Sequence, residues 1–197
     1  MARTGSEPTR EPTREPTREP TRADAVKNRD RILEAARDAF AEDGAVSLNT
    51  IAKQAGVGPG TLYRHFPTRE ALLLAVYQNE VIRVAEEAPQ ILADHPPLEA
   101  FRIWFRALAS YVRIKHGLGE ALHTAAVQDV VNQVYAPVVS AIERLLRACA
   151  EDGSLRPGLD PDDVLILMGF MWRVGADAEG AARADRLMDL VIAGLRP

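Results

Sequence analysis

Between residues 44 and 69 the chain carries no aspartate or glutamate, yet it carries Lys53, Arg64 and Arg69. Charged residues make up 26% of the protein, so this acid-free window is a local bias. The chemistry it supports is non-covalent: cationic and hydroxyl groups gathered to hold a polyanion such as a phosphate backbone. Residues 1–69 hold 12 basic and 10 acidic side chains, whereas residues 70–197 hold 12 and 18. The whole chain, 197 residues with net charge −4, has no global positive field, so any attraction to nucleic acid must come from this patch.

Other chemistries are weaker. His116, Glu120 and His123 fall at i, i+4 and i+7, one face of a helix, and Glu-x-x-His is a pattern of di-metal bundles. Gly117 and Gly119 weaken that helix and no second Glu-x-x-His exists, so no metal is expected. There is no His-Glu-x-x-His, no Gly-x-Ser-x-Gly and no glycine-rich phosphate loop. No catalytic residue and no cofactor are expected, and the protein does not read as an enzyme. The single cysteine, Cys149, lies among Leu145, Leu146 and Ala150, where a buried inert thiol is expected. Residues 1–8 lack the apolar run of a signal peptide, and the longest apolar stretch, residues 164–172, is about half the ~20 residues of a membrane helix. A cytoplasmic protein is therefore expected, and 21 arginines against three lysines hint at a GC-rich bacterial genome.

The elements that must position these residues are helices. Residues 7–22 read Glu-Pro-Thr-Arg four times, and proline at every fourth position forbids helix while nothing in the repeat is apolar enough to bury. Residues 1–24 are expected to be a disordered tail. Arg10, Arg14, Arg18 and Arg22 could touch phosphate, although each has a neutralising glutamate beside it. Ile32, Leu33, Ala36, Ala39 and Phe40 mark one face of a first helix that Gly44 stops. Ser47 caps a short helix with Ile51, Ala52 and Ala55 inside, and Gly56 makes a turn requiring positive φ. Pro59 starts the next helix, which Leu62 and Phe66 anchor. That spacing is a helix-turn-helix. Pro137 is expected to kink or divide a helix over 129–151, and Asp160-Pro161 starts one expected to run to 175. The fold class is all-α.

The string Gly60-Thr-Leu-Tyr-Arg-His-Phe66, followed by Arg69-Glu-Ala-Leu72, resembles the DNA-binding domain of the tetracycline-repressor (TetR) family, over roughly residues 27–76. The resemblance implies a helix-turn-helix domain at 25–72 and a helical effector-binding and dimerisation domain at 73–197. It implies a homodimeric regulator, most simply a repressor, that binds a palindromic operator in double-stranded DNA and is released by a small molecule. By the same resemblance Tyr63 and Arg69 contact phosphate and Thr50 and Lys53 meet the backbone. Base readout falls to Pro59, Gly60, Thr61 and Arg64, while His65 either touches DNA or packs between helices. The family often has Ser-Lys or Ser-Arg where this chain has Gly58-Pro59, which removes a capping hydroxyl and a charged reader. An effector-independent regulator or activator is the alternative.

Aromatic and methionine residues concentrate in the second half. Phe101, Trp104, Phe105, Leu108, Tyr111, His116, His123, Met168, Met171 and Trp172 could line a pocket for an apolar effector, although such stripes are more often ordinary core. A fourth helix over 68–88 would link pocket and reading head. Helices at 161–175 and 182–195 are apolar on more than one side, so Val164, Leu167, Met168, Met171, Leu187, Leu190, Val191 and Leu195 are expected to pair across a twofold axis.

Overall fold

The computed structural model describes residues 22–43, 45–117, 125–175 and 177–197, without the side chains of 111–128 and 172. It contains helices α1 (Arg22–Glu42), α2 (Leu48–Gln54), α3 (Pro59–His65), α4 (Arg69–Asp94), α5 (Pro97–Gly117), α6 (Ala125–Glu151), α7 (Pro161–Leu167) and α8 (Ala178–Leu195). A 3-10 helix, Met168–Trp172, follows α7, and the described residues contain no strand. None of these helices is long and apolar enough to cross a membrane.

Two cores are built on one shared rod. The first joins Ile32, Leu33, Ala36 and Ala39 of α1 to Ile51, Ala52 and Ala55, to Leu62 and Phe66, and to Leu72 and Val76 of α4. The second begins at Tyr77 and gathers the rest of α4 with α5 to α8 and the 3-10 helix. The reading head thus extends to Val76, four residues beyond the expected boundary at 72, because α4 runs unbroken through both cores. At the seam Glu80, 3% exposed, accepts from Arg83 at 2.7 Å and faces Arg37 of α1 at 4.0 Å.

Several boundaries differ from expectation. Helix α1 starts at Arg22, inside the tail expected over 1–24, since Pro20 is the last proline before a helix-compatible stretch. Helix α4 passes Pro89 and ends at Asp94, because exposed Pro89 gives up one backbone bond while Ala88, Ile91 and Leu92 stay in the core. Helix α6 likewise contains Pro137 undivided, held by buried Val134, Val138, Ala141 and Ile142. The helix expected over 161–175 tightens to 3-10 geometry at Met168. With three residues per turn, buried Met168 and Met171 eclipse one another on the core side, where a continued α-helix would offset them by about 60°.

Local rules explain the starts that were expected. Asp160 accepts from the backbone N–H groups of Asp162 and Asp163, with Pro161 at the first helical position. Thr68 caps α4 by accepting from Ala71 N–H at 3.1 Å. Cys149 is fully buried, and burial pushes its thiol above the usual range, as an inert core cysteine requires.

Candidate nucleic-acid interface

The turn between α2 and α3 fixes everything around it. Ser47 Oγ accepts from Thr50 N–H at 3.1 Å, which starts α2. Gly56 has φ +63°, the left-handed conformation a non-glycine residue adopts at a cost of about 1–2 kcal/mol. The Arg31 guanidinium donates to its carbonyl at 3.4 Å and occupies the space a Cβ would take. Gly56→Ala is therefore expected to destabilise the head by about 1–2 kcal/mol and displace Arg31. Urea unfolding followed by circular dichroism checks it, and an unchanged midpoint would contradict the strain argument.

Helix α3 begins at Gly58, which supplies no side-chain cap, with Pro59 at its first position. A methyl group built on Gly58 or on Gly60 would meet nothing within 4 Å. The start of α3 is thus a low-relief surface on which a duplex can approach the backbone closely. Leu62 is fully buried and Phe66 is 4% exposed, so the opposite face is locked to the core. Pro59, Gly60, Tyr63 and Arg64 lie outward, Tyr63 with 46% exposure. The Arg64 Nε donates to the Gly60 carbonyl at 3.1 Å, which holds its guanidinium along the first turn. Thr50 and Lys53 of α2 are exposed, while Thr61 and His65 are half-buried. The His65 ring lies 6.2 Å from that of Phe66, so part of it packs within the head.

Arg69 makes contacts within the head. It is half-buried, its guanidinium donates to the Val46 carbonyl, and it sits 4.9 Å from the centre of the Phe40 ring. The residue ties the start of α4 to the loop before α2 instead of standing out beside Tyr63. A carbonyl acceptor 23 residues away leaves no trace in local spacing. Sequence reasoning also missed Arg29, whose guanidinium lies 5.7 Å from the Phe66 ring centre, and Arg31 at the turn.

Six of the residues expected to line an effector pocket lie in the second core. Phe101, Trp104, Phe105, Leu108, Met168 and Met171 are at most 2% exposed. Phe105 packs against Phe101 at 4.7 Å and edge-on against Trp104 at 5.1 Å, and the Trp104 indole N–H donates to the Val84 carbonyl at 2.7 Å. One open groove of about 400 Å³ runs past Arg31, Glu34, Asp38 and Gln54, and another of about 580 Å³ lies between Leu146 and Pro161. Neither is lined by an expected effector residue. His123 lies outside the described residues, as do the side chains of Tyr111, His116 and Trp172.

The expected dimer residues divide. Val164, Met168, Met171 and Leu195 are buried in the protomer's own core and cannot form an outer face. Leu187 and Val191 are half-buried. Leu167 is 50% exposed, Leu190 70%, and Ile166, not anticipated, 76%. A helix apolar all round gives one side to its own core and the other to the outside, and sequence alone does not say which.

A basic, acid-free helix-turn-helix on an all-helical body defines a DNA-binding transcriptional regulator. The profile described as "Bacterial regulatory proteins, tetR family" matches residues 32–76, and "Transcriptional regulator SbtR-like, C-terminal domain" matches 96–197. A TetR transcriptional regulator from Streptomyces coelicolor is 41% identical with TM-score 0.69, over 86% of this chain and 98% of that one. A TetR regulatory protein from Mycobacterium vanbaalenii is 32% identical with TM-score 0.66, over 89% and 99%. A curated HTH-type transcriptional regulator from Staphylococcus aureus is 40% identical over 83 residues, 41% of this chain and only 45% of that protein's length. The chain belongs to the TetR family of transcriptional regulators.

Proposed function

We propose that the protein is a homodimeric repressor of the bacterial cytoplasm, that it reads a palindromic operator, and that an apolar small molecule releases it. The observation that carries the DNA reading is the exposed face of α2 and α3, where Lys53, Tyr63 and Arg64 surround a smooth Pro59-Gly60 start with no acid between residues 44 and 69. Lys53, Thr50 and Tyr63 hold phosphates; Arg64, Thr61 and the Pro59-Gly60 surface meet base edges in the major groove. Twofold pairing through Ile166, Leu167 and Leu190 would set two such heads on successive grooves, about 34–36 Å apart.

Arg64→Ala is expected to lose about 1–3 kcal/mol of discrimination between the selected operator and scrambled DNA. Lys53→Ala should weaken both equally and lower the salt slope by about 1. Fluorescence anisotropy on duplexes recovered by sequencing the DNA that co-purifies with the protein makes the comparison. Equal losses from both substitutions on both duplexes would remove this division of labour. Arg69→Ala, by contrast, should act through the stability of the head.

The effector reading rests on the methionine- and aromatic-rich core between α5 and the 3-10 helix, which can repack around an apolar guest. The close packing of Phe101, Trp104 and Phe105 favours a second reading, a regulator that needs no effector. A thermal-shift screen of apolar and aromatic compounds separates the two: a compound that both raises Tm and releases DNA supports the first, and none in a broad library supports the second.

A further inference from the structure

None of residues 22–31 of α1 is buried; the first core residue is Ile32. About three turns of helix therefore give no buried residue to the head core, although Ala25 and Asn28 are half-buried. Arg22 and Arg29 are seven residues apart, within about 20° of one another round the helix and about 10 Å along it. Both are exposed, and between them on the same stripe lies Val26, 56% exposed. Measured from Arg22, Asp24 and Glu34 lie about 160° and 120° away round the helix, and Asp30 about 80° away, one turn beyond Val26. The stripe is thus basic, with Asp30 at its edge. Its base is fixed beside the recognition helix, because the Arg29 guanidinium lies 5.7 Å from the ring centre of Phe66, the C-cap of α3 and three residues from exposed Tyr63.

We infer that this ridge is a second DNA-contacting surface of each head, with Arg22 and Arg29 holding phosphates beyond those met by α2 and α3. The inference rests on the DNA reading proposed above. Charge complementarity and continuity with the α3 face both select the duplex as occupant. The ~10 Å rise along α1 between the two residues is close to the axial rise of about three nucleotides on one strand. Each contact adds affinity without sequence information, and each adds about 0.9 to the salt slope.

The test uses the full chain and a labelled mixed-sequence duplex of roughly 40 base pairs, titrated between about 50 and 200 mM salt. R22A/R29A is expected to flatten the plot of log K against log salt by about 1.8 per engaged protomer, and R22K/R29K to restore it. R22A alone, which leaves the Arg29–Phe66 contact in place, should give about half that change. Circular dichroism reports whether each variant is folded. Wild-type binding with an unchanged slope in R22A and in R22A/R29A would overturn this inference alone. A wild-type protein that binds no duplex at all would overturn the DNA reading and this inference with it.

Discussion

Trp104→Ala is expected to lose about 3–5 kcal/mol of folding free energy, a large share of the ~5–15 kcal/mol that holds a domain together. Trp104 is fully buried, packs edge-on against Phe105 at 5.1 Å, and donates its indole N–H to the Val84 carbonyl at 2.7 Å. Truncation opens a large cavity where α4 and α5 meet, and the rigid neighbours Phe101 and Phe105 cannot close it. Trp104→Phe keeps much of the contact and loses the hydrogen bond, so its cost should be nearer 1–2 kcal/mol. Urea unfolding of the three proteins gives the comparison. An alanine variant with a near-native midpoint would mean that this core is loosely packed.

The second large effect concerns assembly. Leu167→Asp combined with Leu190→Asp places carboxylates at positions 50% and 70% exposed in the protomer, where surface substitutions usually cost within about 0.5 kcal/mol. If these faces pair across a twofold axis, four carboxylates become buried together and the dimer separates. Light scattering is expected to give twice 21.6 kDa for the wild type and 21.6 kDa for the variant. Operator affinity should fall by about 10²–10⁴, since one head then binds without the tethering of the other. A variant that remains dimeric would place the interface elsewhere.

The helix-turn-helix was legible because each of its rules is local. Ser47 as a cap, Gly56 at φ +63°, Pro59 at the start of α3, and Leu62 with Phe66 as anchors each follow from a residue and its near neighbours. The misreadings all depend on partners distant in sequence. Pro89 sits within a continuous helix, and Pro137 does not divide α6, because tertiary packing outweighs the lost backbone bond. Arg69 turns inward because the Val46 carbonyl and the Phe40 ring are there to receive it. Val164, Met168, Met171 and Leu195 were assigned to an outer face because amphipathic pattern cannot say which neighbour covers an all-apolar helix. For the same reason Ile166 went unnoticed, although it is the most exposed of the large apolar side chains described.

The seam between Val76 and Tyr77 has a consequence for how such a molecule changes over generations. One profile ends at residue 76 and the next begins at 96, so the inherited units divide near where the packing does. Substitutions in separate cores with no shared partners add independently. A lineage can therefore change residues of the first core without repacking the second, and a chimera joined within α4 has to keep the packing of α1 on α4 and the Arg37–Glu80 pairing.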